Sequence, residues 1–177
     1  MVAPLRVGIA GLGTVGAEVV RLIERQGRVL SERAGRGIRV VAVTARSKAK
    51  KRDIDLDGIT WAEDPLALAS DPEIDCLVEL MGGAGDPAFS AIDAALKSGK
   101  SVVTANKALI AKHGLKLAET AEKHGGALNF EAAVGAAIPI VKTLREGLSG
   151  TGVNRVYGIL NGTCNYILTR MEQEGLS

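Results

Sequence analysis

One glycine pattern near the start of the chain constrains its fold more than any other feature. A short apolar run, Leu5–Ala10, leads directly into Gly11-Leu12-Gly13-Thr14-Val15-Gly16, and the segment that follows has apolar residues at Val15, Val19, Leu22 and Ile23. A strand, a G-x-G-x-x-G turn and a helix in this order are typical of dinucleotide-binding domains. The pattern therefore predicts a parallel α/β sheet whose first turn binds a pyrophosphate.

Each glycine of this turn has its own predicted task. Gly11 permits the tight turn out of the strand, Gly13 leaves room for the phosphates, and Gly16 lets the helix pack close to the strand. The phosphates would meet unpaired N–H groups at a helix N-terminus, where the helix dipole favours negative charge. We therefore predict that Thr14 and Val15 bind the cofactor together with the three glycines. The alternative is a strand–helix turn that holds no ligand.

The composition is that of an ordinary globular protein. The chain has 177 residues, 46% of them hydrophobic and 24% charged, with a net charge of +2. This balance gives no reason to expect a nucleic-acid or membrane partner. Two cysteines are too few for a disulfide framework and fit a reducing compartment. With no apolar stretch long enough to cross a membrane and no room for a signal peptide, the cytoplasm is expected.

Apolar runs alternate with helical segments up to residue 131. Strands are predicted over 5–10, 39–44, 58–61, 74–81, 101–104 and 127–131, and helices over 13–30, 64–70, 86–98 and 107–124. This alternation is typical of a doubly wound parallel (Rossmann-type) α/β sheet, whose ligands bind beyond the carboxyl ends of the strands. Four loops should therefore share one edge: the turn after Ala10, residues 45–51, Met81-Gly82-Gly83 and Ala105-Asn106-Lys107.

The pattern changes after residue 131. We expect residues 1–131 to form the nucleotide-binding domain and residues 132–177 to begin a second, α+β domain that is not completed here. A helix is predicted over 135–148, a strand over 153–160, and a helix from Cys164 onward. An unfinished domain would expose apolar residues, so self-association is expected.

The loop after the second strand predicts which cofactor binds. An NAD-binding domain usually carries Asp or Glu at this strand end, where the acid binds the ribose 2′-hydroxyl. Here the strand ends Val43-Thr44-Ala45-Arg46, and the basic loop Arg46–Arg52 follows. A guanidinium can bind a 2′-phosphate through two hydrogen bonds, so NADP(H) is predicted over NAD(H). Arg46 is the first choice of contact, ahead of Lys50 and Arg52. A solvated basic loop is the alternative.

Further motifs resemble those of homoserine dehydrogenases over nearly the whole chain. They are the glycine turn, Ala45-Arg46 with the basic loop, Glu79–Gly83, Thr104–Ala108, Phe130–Gly135 and Gly158–Leu168. The resemblance implies an oxidoreductase that uses NADP(H) to interconvert L-aspartate 4-semialdehyde and L-homoserine in threonine, methionine and isoleucine synthesis. It also implies a homo-oligomer, a dimer in the complete protein. The alternatives are an NADP(H)-binding module without turnover and another dehydrogenase on the same fold.

The resemblance also implies roles for individual residues. Lys107 matches a catalytic lysine beside the nicotinamide and the substrate, and its place at the binding edge suits it to supply a proton or positive charge to an oxygen. An ordinary surface lysine is the alternative. Met81 and Gly82 are assigned to the cofactor, and Gly162 and Thr163 to the substrate. Independently of that assignment, threonine is a good N-cap for the helix from Cys164.

A cation site is implied in the same way. Glu131 and the backbone carbonyls of Val134, Ala136 and Ile138 resemble the family's sodium site, and a hard cation prefers such oxygen ligands. The alternative is a glutamate that accepts hydrogen bonds from backbone N–H groups at a strand–helix junction.

Other parts of the family pattern have no counterpart before Ser177. A second catalytic lysine and an acidic, glycine-rich segment are absent, so we expect this chain alone to be inactive. Cys164 is expected to be a buried, inert thiol, and His113 and His124 to be surface residues.

Overall fold

The computed structural model describes residues 2–158 and 162–175. Contacts divide the chain into two compact units, unit 1 (Met1–Phe130) and unit 2 (Glu131–Ser177). The division lies next to the boundary at residue 131 that the sequence predicts.

Unit 1 is a parallel sheet. Its described part contains six strands: β1 (Leu5–Ala10), β2 (Ile38–Thr44), β3 (Thr60–Trp61), β4 (Cys76–Glu79), β5 (Ser101–Thr104) and β6 (Leu128–Asn129). Every neighbouring pair is parallel, and the order across the sheet is β3-β2-β1-β4-β5-β6. This is the strand order of doubly wound dinucleotide-binding folds, with the change of direction between β1 and β4. The predicted fold class is confirmed.

Four helices connect these strands, and local signals set their ends. They are α1 (Thr14–Ala34), α2 (Pro65–Ser70), α3 (Ala88–Lys97) and α4 (Lys107–His124). The Asp64 carboxylate caps α2 by accepting the N–H groups of Leu66 and Ala67, both at 2.8 Å. Gly125, with a φ of 70°, ends α4 in the left-handed conformation. The predicted bounds of α4 are confirmed.

The core lies on both faces of the sheet because neighbouring strand residues point to opposite sides. On one face, Leu77 and Val102 pack with Ile92 of α3 and Leu117 of α4. On the other face, Ile9 packs in a cluster that also contains residues of α1 and β2. Burying a side chain of this size stabilises the fold by about 1.5–3 kcal/mol. The strand ends are thereby held firmly enough to position loops.

Helix α1 differs from its prediction in length and in its buried face. It continues past the predicted end at residue 30 to Ala34 and stops at Gly35, whose φ is 67°. A glycine lowers helix propensity without forcing a helix to end, whereas a left-handed glycine does end one. The buried residues of α1 are Gly16, Ala17 and Val20. The expected apolar face was partly wrong, since Val15 is 59% exposed and Leu22 is 37% exposed.

The amino edge of the sheet, where the strands begin, is closed by ion pairs. Arg6 donates to Asp75 from its backbone N–H and from Nη2, both at 2.9 Å, and to Glu73 at 2.8 Å. Arg36 adds a second ion pair to Asp75 at 3.7 Å. The Arg6 guanidinium holds the pKa of the Asp75 carboxyl below its ordinary value. Burial raises the pKa of the neighbouring Cys76 thiol to about 11.

Unit 2 is helical in its described part. It contains α5 (Glu131–Val134), α6 (Ile140–Lys142) with a π-helical turn over Thr143–Gly147, and α7 (Gly162–Glu174). The predicted helix over 135–148 thus exists only from Ile140.

Four predicted strands are shorter in the structure or are not formed over its described residues; those over 58–61 and 74–81 are reduced to β3 and β4. Residues 153–158 form no strand, and Ile159 and Leu160 lie outside the described residues. The sheet strand expected to end at Glu131 stops at Asn129, because Glu131 opens α5 instead.

The apolar side chains of unit 2 that were expected to be exposed are so only in part, since Ile140 and Val141 are half-buried. No described residue of α6 or α7 is buried, and Ile138 is 57% exposed. None of the described helices has the length and apolar character to cross a bilayer.

Candidate functional site

The carboxyl edge of the sheet brings the four predicted loops together. Ala10 at the end of β1 lies beside Thr44 of β2 and Glu79 of β4, and Glu79 lies beside Thr104 of β5. The loops that follow these residues therefore leave the sheet at the same edge, on both sides of the change in strand direction. Ligands of such folds bind at this position.

The glycine turn uses its three glycines for three physical reasons. Gly11 has a φ of +104°, and an added Cβ would lie 2.7 Å from the Leu80 carbonyl oxygen. At Gly16 an added Cβ would lie 1.9 Å from the Gly11 carbonyl oxygen and 3.8 Å from the nearest Ile9 atom. Gly16 is thus required mainly by the turn itself, rather than by contact with the strand. At Gly13 an added Cβ would meet no described atom within 4 Å.

The N-terminus of α1 faces out of this turn without a protein cap. Its N-cap is Gly13, which has no side chain to accept a hydrogen bond, and no acidic residue lies in the first turn. The first N–H groups of a helix have no intrahelical acceptor. Gly13, Thr14 and Val15 are exposed here. The geometry fits an anionic group such as a pyrophosphate, which these N–H groups would bind.

The basic loop contains cations in two different states. The Arg46 side chain is exposed and makes no hydrogen bond or ion pair with any residue that the structure describes. Arg52 instead donates to three backbone carbonyls: Leu12 at 2.9 Å, Lys50 at 2.8 Å and Ser47 at 2.9 Å. Its guanidinium also lies 5.5 Å from the centre of the Trp61 ring. Arg52 therefore joins the basic loop to the glycine turn, and Arg46 is left available for a ligand.

A buried polar network connects the ends of β4 and β5. The Glu79 carboxylate accepts the N–H groups of Met81 at 2.7 Å and Gly82 at 3.2 Å, and the Thr104 hydroxyl at 2.6 Å. Glu79 and Thr104 are fully buried. Asn106 caps α4 by accepting the Leu109 N–H at 3.2 Å. Its amide group also donates to the Gly83 carbonyl at 2.7 Å.

Lys107 is the first residue of α4 and therefore stands directly beside this network. Its side chain is exposed, and no ion pair to it occurs among the described residues. A cation in the first turn of a helix is disfavoured by the helix dipole. The structure thus presents an unpaired ammonium at the same edge as the glycine turn and Arg46.

Sequence reasoning missed Glu79, Thr104 and Arg52 as positioning groups. The sequence indicates Glu79 and Thr104 only as members of motifs, and Arg52 only as a possible phosphate contact. The available signal was a charged residue, Glu79, at the end of an otherwise apolar strand, since burying a carboxylate requires specific donors.

In unit 2, Glu131 accepts backbone N–H groups. Its two carboxylate oxygens accept the N–H of Val141 and of Lys142, each at 2.9 Å. The carbonyl of Ile138 accepts the Ile140 N–H at 2.8 Å. Every predicted cation ligand in this segment is an oxygen atom, which is the type of ligand that a hard monovalent cation prefers. Each oxygen that accepts one hydrogen bond still has a lone pair.

Three other residues differ from expectation. Helix α7 begins at Gly162, so Thr163 lies inside the helix and the predicted N-cap role for it is wrong. Cys164 is exposed rather than buried, as no described residue of α7 is buried. His113 packs on Phe89 with their ring centres 4.6 Å apart and is half-buried, whereas His124 is exposed as predicted.

Two family models match the chain. The model described as homoserine dehydrogenase, NAD binding domain, matches residues 11–131, and the model described as homoserine dehydrogenase matches residues 139–177. A homoserine dehydrogenase from Pseudomonas aeruginosa is 45% identical over 97% of this chain and 39% of its own length. The chain thus spans about 39% of the length of the first curated relatives it matches.

Solved structures show the same similarity. The crystal structure of a homoserine dehydrogenase from Thiobacillus denitrificans has a TM-score of 0.83 and 43% identity, covering 97% of this chain and 39% of that one. A hyperthermophilic archaeal homoserine dehydrogenase in complex with NADPH has a TM-score of 0.67 and 27% identity, covering 83% of this chain and 50% of that one.

Proposed function

The chain belongs to the homoserine dehydrogenase family of oxidoreductases, and we propose that unit 1 binds NADP(H) at the carboxyl edge of its sheet. The complete protein would interconvert L-aspartate 4-semialdehyde and L-homoserine, within threonine, methionine and isoleucine synthesis. The observation that carries the cofactor proposal is the uncapped α1 N-terminus at Gly13 together with the exposed Arg46, in the loop after the neighbouring strand. The two features present backbone donors and a cation at one edge.

Each phosphate of the cofactor has a matching group. The pyrophosphate would lie over Gly13, where the absence of a side chain leaves space, and would accept N–H groups of Thr14 and Val15. The 2′-phosphate would accept hydrogen bonds from Arg46, with Lys50 exposed in the same loop. No acid follows β2 to bind a ribose hydroxyl, since the strand is followed by Ala45-Arg46. The NADPH complex of an archaeal relative supports this preference.

Lys107 is the proposed catalytic residue. Its ammonium would give the substrate oxygen a proton or a positive charge as the aldehyde becomes an alkoxide. NADPH, when bound, supplies the hydride. Met81 and Gly82, whose N–H groups are held by Glu79 beside the start of α4, would contact the cofactor.

The remaining assignments concern unit 2 and the whole protein. We assign Gly162 and Thr163 to the substrate, and Glu131 with the carbonyls of Val134, Ala136 and Ile138 to a sodium ion. Exchanging sodium for choline should lower the thermal midpoint if this ion binds. A homodimer in the cytoplasm is proposed for the complete protein, and the exposed apolar residues of unit 2 support association.

Calorimetric titration with NADPH and NADH tests the cofactor proposal. We expect tighter binding of NADPH, and we expect Arg46→Ala to weaken NADPH binding by about 1.5–3 kcal/mol while leaving NADH nearly unchanged. Arg33→Ala is the matched control, since Arg33 is an exposed arginine in the last turn of α1, at the opposite edge. An equal loss for both cofactors in Arg46→Ala would remove the 2′-phosphate assignment.

The reaction is tested by following NADPH absorbance with the semialdehyde present. Because the chain spans 39% of the length of its relative, this proposal concerns the complete protein. Lys107→Met should abolish turnover there and leave NADPH bound. Full turnover by Lys107→Met would exclude the lysine from catalysis.

A further inference from the structure

The geometry points to Glu79 as a positioning residue that fixes two loops of the carboxyl edge relative to each other. These are the loop Met81-Gly82-Gly83 and the start of α4, which carries Lys107. We propose that Glu79 acts through Thr104 and Asn106, so that the cofactor contacts and the catalytic lysine are set as one unit. What the two loops bind rests on the proposed function, whereas their connection rests on the hydrogen bonds alone.

The carboxylate of Glu79 is the centre of the connection. It is 0% exposed, and no cation lies in an ion pair with it among the residues described. A buried carboxylate is costly unless several donors satisfy it. Here Oε1 accepts the N–H groups of both Met81 and Gly82, and Oε2 accepts the Thr104 hydroxyl. Two of these donors lie in the loop after β4 and the third at the end of β5, so the carboxylate joins that loop to β5.

Thr104 carries the connection from Glu79 to α4. Its hydroxyl donates to Glu79 Oε2 at 2.6 Å and accepts the Asn106 N–H at 3.0 Å. A hydroxyl can donate one hydrogen bond and accept another at the same time, so the two contacts do not compete. Asn106 is the N-cap of α4, and its position decides where the helix begins. A shift of the Thr104 hydroxyl would therefore move the first turn of α4, including Lys107.

Asn106 closes the network into a ring. Its Nδ2 donates to the Gly83 carbonyl at 2.7 Å, and Gly83 follows Gly82, whose N–H is held by Glu79. The chain between these points turns through Gly82 and Gly83 at φ values of 79° and 87°. A ring of contacts that leaves and returns to Glu79 allows neither loop to move alone. An apolar residue at position 79 would fill space but would not connect the two loops.

Amide hydrogen exchange in the cofactor-free chain tests the connection directly. Thr104→Val keeps the shape of the side chain and removes the hydroxyl. We expect exchange to rise about tenfold or more at the Asn106 N–H, and also at Met81 and Gly82, whose N–H groups bond to Glu79 and not to Thr104. Thr104→Ser keeps a hydroxyl and should restore slow exchange. Thr44→Val is the matched control: Thr44 is a buried threonine at the end of β2 whose hydroxyl bonds to no described residue.

The outcome at Met81 and Gly82 decides the proposal. Unchanged exchange at these two amides in folded Thr104→Val would overturn it, as would a Ser variant that behaves like the Val variant. If Thr104→Val does not fold, Glu79→Gln provides the second test, because it keeps the size of the side chain while removing its charge. Faster exchange of the Asn106 N–H in Glu79→Gln is then expected, and unchanged exchange there would also overturn the proposal.

Cofactor affinity separates this inference from the proposed function. Thr104→Val should weaken NADPH binding severalfold in the folded protein, and Thr104→Ser should not. If the unmodified chain binds no NADPH, the proposed function of unit 1 fails, but the exchange measurement still decides whether Glu79 connects the loops. If affinity is unchanged while exchange rises, the network holds the fold but does not position the cofactor loop, and that part of the proposal is wrong.

Discussion

The two edges of the sheet differ in whether their cationic side chains form ion pairs. At the amino edge, Arg6 places its donors on Asp75 and Glu73, and Arg36 adds a further pair to Asp75. At the carboxyl edge, Arg46 and Lys107 are exposed and unpaired with respect to the residues described. Charges that are already paired contribute to the fold, whereas unpaired donors are available to a ligand. The comparison thus separates residues that hold the sheet from residues that bind.

The largest expected effect on stability is at Gly16, which lies at the binding edge and yet supports the fold. In Gly16→Ala the new Cβ would be 1.9 Å from the Gly11 carbonyl oxygen, so we expect a loss of about 1–3 kcal/mol in the free energy of unfolding. Gly27→Ala in the same helix meets no described atom within 4 Å and should gain about 0.5–1 kcal/mol. Urea denaturation measures both, and equal effects would contradict the steric argument.

Gly13 should show the opposite behaviour from Gly16 within one turn. Its φ of −75° suits any residue, and an added Cβ points away from all described atoms. Gly13→Ala should therefore leave unfolding within about 0.5 kcal/mol of the parent. It should weaken NADPH and NADH alike by roughly tenfold, about 1.4 kcal/mol, because the methyl group occupies the phosphate space. Undiminished affinity for both cofactors would place the pyrophosphate elsewhere.

Asp75 tests whether a paired charge at the amino edge contributes to stability and not to cofactor binding. Its pKa lies below the ordinary value of 3.8, so it stabilises the fold above that pH and loses this contribution as the pH falls through the lowered pKa. Asp75→Asn should be less stable at neutral pH and should lose less stability on acidification below pH 3.8. Because the ion pair is partly exposed, the effect should be smaller than that of Gly16→Ala. NADPH affinity should not change, and calorimetry beside acid titration checks both points.

The smallest expected effect is a difference in reactivity between the two cysteine thiols, which can be measured without a mutation. The pKa of Cys76 is raised to about 11 and its side chain is buried, so at pH 8 only about one thiol in a thousand would be ionised. Cys164 is exposed and should react promptly with a thiol reagent. We expect one fast thiol in the native chain and two after unfolding. Two fast thiols in the native chain would show that the start of β4 opens readily.

Local patterns predicted most of unit 1 because each signal depends on nearby residues. The glycine turn, the parallel strands and the start of α4 at Lys107 all follow from short-range spacing and capping. Helix α1 is longer than the predicted 13–30 because the polar, glycine- and arginine-rich segment after residue 27 does not end it, whereas the left-handed Gly35 does. In unit 2 the sequence predicts a strand over 153–160, but a strand needs a neighbouring strand to pair with, and the described part of unit 2 contains none.

The sequence predicted the exposed residues of the candidate site, but it did not predict the hydrogen bonds that Arg52 and Glu79 make. The order of residues shows that Arg46 and Arg52 share one loop, but it does not show that Arg52 donates to three carbonyls while Arg46 donates to no described residue. Glu79 ends an apolar run, and its donors lie on backbone N–H groups and on a strand distant in sequence. Such pairing depends on tertiary geometry, which residue spacing does not contain.

Trp61 has a practical consequence for every experiment on this chain. It is the single tryptophan in the sequence, and it lies beside the basic loop, with the Lys48 ammonium 5.8 Å and the Arg52 guanidinium 5.5 Å from its ring centre. All indole emission therefore originates at one known position. A ligand that draws these cations toward a phosphate would change that emission, so the molecule contains its own optical reporter for the loop that we assign to cofactor choice.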